Sequence, residues 1–323
     1  MLLLTVAVAA FVVSCFGTRA LVAVLRHRAM LDLPNERSSH VVPTPRGGGI
    51  AVIGTSVAAW LALGAAGMLP PGIVVVALAG AGLALVSWLD DLHGLSPGLR
   101  LLAQFAAVAA GMWVLPHGAV FQGWLPPGLD AIAAALLWVW FVNLFNFMDG
   151  IDGIAGSEAA AIGAGIVLVA AGDPVSTLPA AAVVAAALGF LVWNWAPARI
   201  FLGDVGSVPL GYLLGYLLYA LALRGAWAAA LILPLYFLAD ATLTLLRRLA
   251  RGERVWQAHR EHFYQRAVQL GLGHAAVVRR VIAADIVLIA CAYAAAHGWG
   301  FAAIGVAGIA VVTLLVALSR DRS

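Results

Sequence analysis

Long apolar segments recur from one end of this 323-residue chain to the other, and they limit the folds that it can adopt. Each segment has about 17–25 residues, enough for a helix to cross a hydrocarbon layer roughly 30 Å thick. The segments are continuously apolar rather than alternating, so they predict helices and not the strands of a barrel. We therefore predict an all-α fold, a polytopic membrane helical bundle.

The composition agrees with a membrane protein. The chain is 63% hydrophobic and 10% charged, whereas about a quarter of the residues in a soluble domain are charged. A net charge of +3 does not indicate a nucleic-acid partner, and none is expected. Cys15 and Cys291 both lie in apolar segments, which predicts small buried residues rather than a disulfide or a metal site.

Eleven spans are predicted, so that residues 1–323 form a single integral membrane domain of about 10–11 transmembrane helices. Residues 1–18 contain no basic residue, which favours a first span over a cleaved signal. The approximate bounds are 2–24, 47–67, 72–89, 100–117, 129–146, 156–171, 178–194, 207–223, 226–247, 276–297 and 299–318.

The arginine distribution predicts the orientation of these spans. With the N-terminus outside, the connections near 25–46, 90–99, 147–155, 195–206 and 248–275 are cytoplasmic, and nearly all of the 18 arginines lie on or beside them or in the tail. Arg224 is the exception in an outer loop, and Arg19 lies within the first span. Because basic residues favour the cytoplasmic side, this orientation is strongly preferred.

Five polar islands interrupt the apolar pattern, and all fall on the predicted cytoplasmic side. They are DLPNERSSHVVPTPRGGG (32–49), DDLHGLSP (90–97), NLFNFMDGIDG (143–153), NWAPARIFLGDVGS (194–207) and HREHFYQR (259–266). Their shared side predicts that they converge on one site at the inner membrane surface.

Acidic and amide side chains dominate three of the islands. Asp90 and Asp91 are either two solvated charges or a pair that shares a proton or a cation. A second group recurs at every third position, which keeps neighbours on adjacent helix faces, and a glycine-rich loop follows it; its members are Asn143, Asn146, Asp149 and Asp152. Asp204 stands between two glycines, where it is either a metal ligand, a helix cap or both.

The two remaining islands are basic or glycine-rich. His259, Arg260 and His262 carry groups that suit phosphate oxygens, while a zinc site or an ordinary basic loop are alternatives. Arg46 precedes three glycines that either cradle an anion at a helix start or allow close helix packing. Acidic groups for Mg²⁺ together with basic groups for phosphate predict phosphoryl chemistry between a soluble diphosphate and a lipid.

The islands, in this order, resemble the polyprenyl-phosphate N-acetylhexosamine-1-phosphate transferase superfamily (glycosyltransferase family 4). The resemblance covers roughly residues 32–266 and rests on DD, NFMDGIDG, NWAPARIFLGDVGS and the late histidine loop. It implies that undecaprenyl phosphate attacks the β-phosphorus of a UDP-N-acetyl sugar and that UMP is released. The implied cofactor is Mg²⁺, with Mn²⁺ as an alternative, and the implied location is the bacterial inner membrane with the site facing the cytoplasm.

The resemblance also assigns roles to individual residues. Asp90 and Asp91 match the paired aspartates of the superfamily, and Asp204 matches its magnesium-binding aspartate. His259 and His262 match the late histidines and, with the paired aspartates, are expected to be catalytic. The expected substrate-binding residues are Asn146, Asp149, Asp152, Asn194, Arg46 and Arg260.

One departure narrows the substrate. The muramoyl-pentapeptide transferases carry three consecutive histidines in the late loop, whereas this chain has HREH. Its islands look closer to the O-antigen initiating transferases, which use 6-deoxy-N-acetyl sugars or N-acetylglucosamine. One-step attack and a covalent aspartyl-phosphate route both stay open, as does a homodimer.

Other functional classes remain as alternatives. Asp240 and Asp285 lie within predicted spans, where acids often mark ion paths, so a transporter is the main rival. Asp240 would instead join the site if the ninth span were broken. A lipid-binding scaffold is the third class.

Overall fold

The computed structural model describes residues 1–28, 31–32, 42–254, 257 and 259–320, and within them the fold is almost entirely helical. A short antiparallel pair joins β1 (Leu31–Asp32) to β2 (Thr44–Pro45). A kink at Ala295–Trp299 lies between the last two helices, because His297 and Gly298 there leave the helical conformation. In chain order the helices are α1 (Leu2–His27), α2 (Gly49–Ala65), α3 (Gly72–His93), α4 (Pro97–Val114), α5 (Pro127–Phe147), α6 (Ile154–Val169), α7 (Pro174–Asn194), α8 (Asp204–Leu223), α9 (Trp227–Ile232), α10 (Leu235–Ala250), α11 (Phe263–Gln269), α12 (His274–Ala294) and α13 (Gly300–Ser319).

Seven segments of the described chain are long and apolar enough to cross a membrane. The last of them, His274–Ser319, contains two helices, because Gly298 has a φ of +98° and ends the helical path. α2 and α6 are shorter apolar helices, with 17 and 16 residues. The prediction of a multi-pass helical membrane protein is confirmed.

The predicted ninth span, 226–247, is broken into two helices. α9 has only six residues, and α10 begins after Pro234. Proline lacks the backbone N–H that a continuous helix needs and clashes with the preceding turn. α10 then carries Asp240 on a buried face and has Arg247 and Arg248 in its last turn.

α8 lies at the centre of the bundle, where it packs against α2, α3 and α5, while α1 packs along α7. α2 and α8 approach very closely, because a Cβ on Gly49 would lie 2.2 Å from the Cα of Gly206. Only small residues permit such an approach. The contact brings the starts of α2 and α8 together, at the end of the bundle where α3, α5 and α7 finish.

Candidate active site

Arg46 is held in place by backbone pairing between two of the polar islands. Phe201 donates its N–H to the Pro45 carbonyl at 2.8 Å, and the Phe201 carbonyl accepts from Gly47 and Gly48. Gly49 donates to the Leu202 carbonyl at 2.9 Å. The backbone N–H groups of the three glycines are therefore already hydrogen-bonded to this segment, and the lack of side chains allows close helix packing. The anion-cradle alternative is not supported, because these N–H groups are not free to bind an anion.

The Arg46 guanidinium bridges two carboxylates from different helices. Its Nη2 atom lies 3.1 Å from Asp91 Oδ1 and 2.5 Å from Asp204 Oδ1. Gly203 precedes Asp204 with a φ of +74°, and a Cβ there would lie 3.1 Å from Arg46 Cγ and 3.4 Å from Asp91 Oδ2. Glycine is therefore suited to this position both by its backbone conformation and by the closeness of the ion cluster.

A cavity of about 300 Å³ opens beside this bridge. Its walls come from three of the five polar islands and from the start of α12. The lining residues are Asp32, Arg46, Asn146, Asp149, Gly150, Ile151, Asp152, Asn194, Phe201, Leu202, Gly203, Asp204 and His274. Of the eleven predicted site residues, six line the cavity, namely Arg46, Asn146, Asp149, Asp152, Asn194 and Asp204, and Asp91 joins them through Arg46.

The loop between α5 and α6 supplies the acidic wall of the cavity. Asn146 Oδ1 accepts a hydrogen bond from the Ser207 hydroxyl at 2.6 Å, which ties α5 to α8. Burial raises the pKa of the Asp149 carboxyl to about 7, and nearby Asp204 and Asp152 raise it further while Arg46 lowers it. The protonation of Asp149 therefore changes near neutral pH.

Asn143 does not belong to this wall, although its spacing suggested that it would. Its amide exchanges hydrogen bonds with Gln104 on α4, at 2.6 and 3.3 Å, and donates to the Val139 carbonyl. A three-residue spacing advances about 300° around a helix, so successive members drift away from a common face. Asn143 serves helix packing instead.

Asp152 and Asn194 connect the loops that surround the cavity. Asp152 Oδ2 accepts from the Ala198 N–H at 3.0 Å. Asn194 is 4% exposed, accepts from the Gly153 N–H and donates to the Ile200 carbonyl, both at 2.9 Å. Asn194 thus lines the cavity, while its amide also fixes the two loops against each other.

The paired aspartates point in different directions. Asp90 accepts from the Leu95 N–H at 2.7 Å and pairs with Arg100 at 3.0 Å, so it closes the turn after α3. Asp91 instead faces Arg46 and α8. In this structure the two carboxylates therefore do not share one proton or one cation, and Asp90 lies outside the cavity lining.

The late histidine loop is anchored to the buried carboxylate of Asp240. That carboxylate accepts the N–H groups of Phe263 at 3.0 Å and Tyr264 at 3.3 Å, and it lies 3.2 Å from His262 Nδ1. A carboxylate at a helix start stabilises the unpaired N–H groups there. The break in the ninth span thus brings Asp240 to the histidine loop. Because its carboxylate has hydrogen-bond partners there, Asp240 gives less support to the transporter alternative.

His259, Arg260 and His262 flank the cavity rather than line it. The rings of His259 and His262 are 4.8 Å apart, and burial lowers the pKa of His259 to about 4, with further lowering by His262 and Arg248. The Arg260 carbonyl accepts from Gln269 at 2.7 Å. Because His259 is neutral at pH 7, it can offer a hydrogen bond to a phosphate but not a full charge.

α11 connects this loop to the cavity wall. The Tyr264 hydroxyl donates to the Phe147 carbonyl at 3.1 Å, and a Cβ on Gly150 would lie 2.2 Å from the Tyr264 hydroxyl oxygen. Gly150 is therefore needed where the histidine loop presses on the loop that carries Asp149.

Two cavity residues escaped the sequence analysis as individual candidates. His274 begins α12, with its Nδ1 atom 3.3 Å from Asp152 Oδ2, and Asp32 lies in β1. The sequence analysis named Asp32 only as the first residue of the 32–49 island and not as a site candidate. Residues 33–41, which follow it, lie outside the described residues. His274 lies in a predicted cytoplasmic loop, and that sidedness is the signal that could have identified it.

The donor set suits a hard divalent cation. Two carboxylates share one guanidinium, which leaves the Asp91–Arg46–Asp204 cluster with a net negative charge. Asp91 Oδ2 is buried and has no hydrogen-bond partner among the described residues. Among the described residues, no group of three or more His, Cys, Asp or Glu side chains is arranged to hold a metal ion without other ligands. Mg²⁺ commonly uses one or two carboxylates and fills its remaining positions with water and phosphate, so the residues present fit it.

Asp285 is buried on α12, and Glu158 is buried on α6. Their carboxylate oxygens have no hydrogen-bond partner within the part of the chain that the structure describes. α6 and α12 pack against each other. These acids lie outside the lining of the cavity described above.

Comparison with known proteins decides the family. A model described as glycosyl transferase family 4 matches residues 73–222. The decaprenyl-phosphate N-acetylglucosaminephosphotransferase of Mycobacterium leprae is 30% identical over 313 residues, covering 84% of this chain and 78% of that protein. This chain belongs to glycosyl transferase family 4. The resemblance to polyprenyl-phosphate N-acetylhexosamine-1-phosphate transferases is thereby confirmed, and this family 4 protein is a transferase enzyme of that type.

Two other relatives show how the similarity is distributed. The probable undecaprenyl-phosphate N-acetylglucosaminyl 1-phosphate transferase of Bacillus subtilis is 28% identical, over 83% of this chain and 78% of that protein. The phospho-N-acetylmuramoyl-pentapeptide-transferase of Synechococcus elongatus is 35% identical, but over only 52% of this chain and 51% of that protein. Similarity to the N-acetylglucosamine-type enzymes therefore extends further along the chain.

Proposed function

We propose that this family 4 enzyme transfers an N-acetylhexosamine-1-phosphate from a UDP-sugar to undecaprenyl phosphate. The transfer releases UMP and initiates a cell-surface polysaccharide such as O-antigen. An oxygen of the lipid phosphate forms a bond to the β-phosphorus of the donor. The bond between that phosphorus and the bridging oxygen breaks, and the electron pair leaves with UMP.

The observation that carries this proposal is the Arg46 bridge between Asp91 and Asp204 beside a polar cavity. The bridge brings together Arg46 just before α2, Asp204 at the start of α8 and Asp91 near the end of α3. Carboxylates for a metal and a guanidinium for phosphate oxygens are the groups that phosphoryl transfer requires. The Bacillus subtilis and Mycobacterium leprae relatives act, by their names, on polyprenyl phosphates, which supports the lipid acceptor.

The residues divide the work by position. We assign Asp204 and Asp91 to hold Mg²⁺, or Mn²⁺ in its place. When bound, the cation neutralises charge on the diphosphate and on the leaving UMP. Asn146, Asp149 and Asp152 contact the nucleotide side of the donor.

The remaining groups act at the phosphate and at the edges of the site. Arg46 stabilises the charge of the transferred phosphate. His259, His262 and Arg260 flank the sugar phosphate from the histidine loop. Asp90 positions Asp91 through the turn that it closes. A phosphate monoester is largely dianionic at neutral pH, so a strong base for the acceptor is unnecessary.

The proposed donor carries an N-acetylhexosamine without a peptide. Similarity to the N-acetylglucosamine-type relatives covers more than four fifths of the chain, against about half for the pentapeptide transferase. The late loop reads HREH rather than three consecutive histidines. UDP-N-acetylglucosamine and its 6-deoxy relatives are therefore the first donors to test.

The proposed location is the bacterial inner membrane, with the cavity facing the cytoplasm. The arginine distribution supports this orientation. The single arginine of the predicted outer loops, Arg224, pairs with Asp173 and does not contradict it. A UDP-sugar made in the cytosol would then meet a lipid phosphate at the inner leaflet.

The test is incubation of purified protein with Mg²⁺, undecaprenyl phosphate and a panel of UDP-N-acetyl sugars, with UMP as the readout. We expect UMP and lipid-diphospho-sugar in equal amounts for at least one donor. A burst of UMP without the lipid would favour the covalent route. Solute flux in proteoliposomes without any UMP release would overturn the proposal in favour of a transporter.

A further inference from the structure

The cavity has an unequal balance of charge. Four carboxylates line it, from Asp32, Asp149, Asp152 and Asp204. Within the described ranges, the lining side chains that can carry positive charge are Arg46 and His274. Arg46 is already shared between two carboxylates. A diphosphate entering this cavity therefore meets His274 as the second of these two basic side chains.

His274 is oriented by the loop that faces it. Its Nδ1 atom lies 3.3 Å from Asp152 Oδ2 and 3.3 Å from the Asp152 backbone nitrogen. Both contacts use the same ring nitrogen, so Nε2 is the nitrogen left for a ligand. Nε2 carries a proton either in the charged imidazolium or in the neutral form whose Nδ1 accepts the Asp152 N–H.

The contact is not needed to hold the loop in place. Asp152 Oδ2 is already fixed by the Ala198 N–H at 3.0 Å, and the neighbouring Gly153 N–H is fixed by Asn194. His274 is also the first residue of α12, a 21-residue helix, and the start of a helix favours negative charge. The ring is therefore oriented by Asp152 and placed where an anion is stabilised.

We propose that His274 is a donor-binding residue, whose Nε2–H donates a hydrogen bond to a phosphate oxygen of the nucleotide sugar. Asp152 acts as its positioning residue. This inference rests on the proposed function, because it assigns one more contact to the same cavity. The nucleotide sugar rather than the lipid phosphate is taken as its ligand, because His274 contacts Asp152, which is assigned to the nucleotide side of the donor.

The test separates donor affinity from the rest of the reaction. In His274→Ala we expect the KM for the UDP-sugar to rise by about tenfold or more, as for loss of a hydrogen bond to a charged group. The KM for undecaprenyl phosphate and the melting temperature stay unchanged. His274→Gln, which keeps a side-chain N–H, recovers part of the donor affinity. His117→Ala, in a predicted outer loop, is the matched control with no effect.

Calorimetric titration of Mg²⁺ and UDP-N-acetylglucosamine into lipid-free protein gives a second readout that needs no turnover. We expect His274→Ala to weaken this binding and His117→Ala to leave it intact. If the wild type binds and turns over the donor while His274→Ala binds it equally well, the inference alone is wrong. An equal rise in KM for both substrates also overturns it. If the wild type neither binds uridine nucleotides nor releases UMP, the proposed function fails as well.

Discussion

The two ends of the bundle use their carboxylates differently. At the end opposite the cavity, buried Asp130 accepts two backbone N–H groups, from Val120 and Phe121, each at 2.9 Å. Asp173 caps α7 and pairs with Arg224. At the cavity end, Asp91 keeps a buried oxygen without a described partner, and Asp149 titrates near neutral pH.

This contrast distinguishes carboxylates that stabilise the fold from carboxylates that are available to bind a ligand. A carboxylate whose oxygens are filled by backbone N–H groups contributes stability and has little capacity left for a ligand. A carboxylate held by one shared guanidinium keeps that capacity, at some cost in stability. The same side-chain type therefore predicts opposite mutational outcomes at the two ends.

The largest effect is expected for Asp204→Asn. The amide keeps the shape but removes the negative charge that holds a cation, so the rate of UMP release should fall at least about 100-fold, as for loss of a key electrostatic group. The melting temperature should change little, because Arg46 keeps Asp91 as a partner. Nearly wild-type turnover would break the contrast.

Asp130→Ala should show the opposite pattern. It leaves two backbone N–H groups unsatisfied, which costs about 1–3 kcal/mol of unfolding free energy. We expect a lower melting temperature in detergent and an unchanged KM for the donor. Asp130→Asn, which keeps one acceptor oxygen, is the control and should lose less. A loss of turnover without a loss of stability would contradict the structural role.

Asp149→Asn sharpens the contrast through pH. The pKa of Asp149 is about 7 in the folded protein and about 4 in an unfolded chain. The folded state therefore holds the extra proton between these values, and this group's contribution to stability falls as pH rises from about 4 to about 7. The variant lacks this loss, so its melting temperature relative to wild type should be higher at pH 8 than at pH 5. An identical pH profile in both proteins would refute the assignment.

The smallest effect is expected where polar groups serve helix packing alone. Asn143→Leu removes the amide exchange with Gln104 between α5 and α4. Interhelical hydrogen bonds of this kind contribute on average about 0.6 kcal/mol. We expect a small decrease in melting temperature and normal UMP release. A loss of activity comparable to that of Asp204→Asn would place Asn143 back in the site.

Much of the architecture was predictable, because apolar segment length and the punctuating residues act locally. Gly298 separates the last two helices as predicted, whereas the break of the ninth span at Pro234 was foreseen only as an alternative. The convergence of three islands on one cavity agrees with the shared side that the arginine distribution predicted for them. Asp204 and Asp149 were found because flanking glycines mark them in the sequence.

The direction of individual side chains was not predictable. Asp90 and Asp91 are neighbours, and adjacent helical residues point about 100° apart, so only tertiary packing decides which one faces Arg46. The role of Gly47, Gly48 and Gly49 depended on Phe201, more than 150 residues away. His274 carried no pattern of its own, because its partner Asp152 comes from a different loop.

The most direct test of the central claim is metal removal. Protein and substrates are stripped with EDTA, and UMP release from the UDP-sugar is measured before and after Mg²⁺ is restored. We predict no release without the cation and full recovery with it in the wild type, but not in Asp204→Asn. UMP release that continues undiminished in EDTA would contradict a magnesium-dependent site built on Asp91, Arg46 and Asp204.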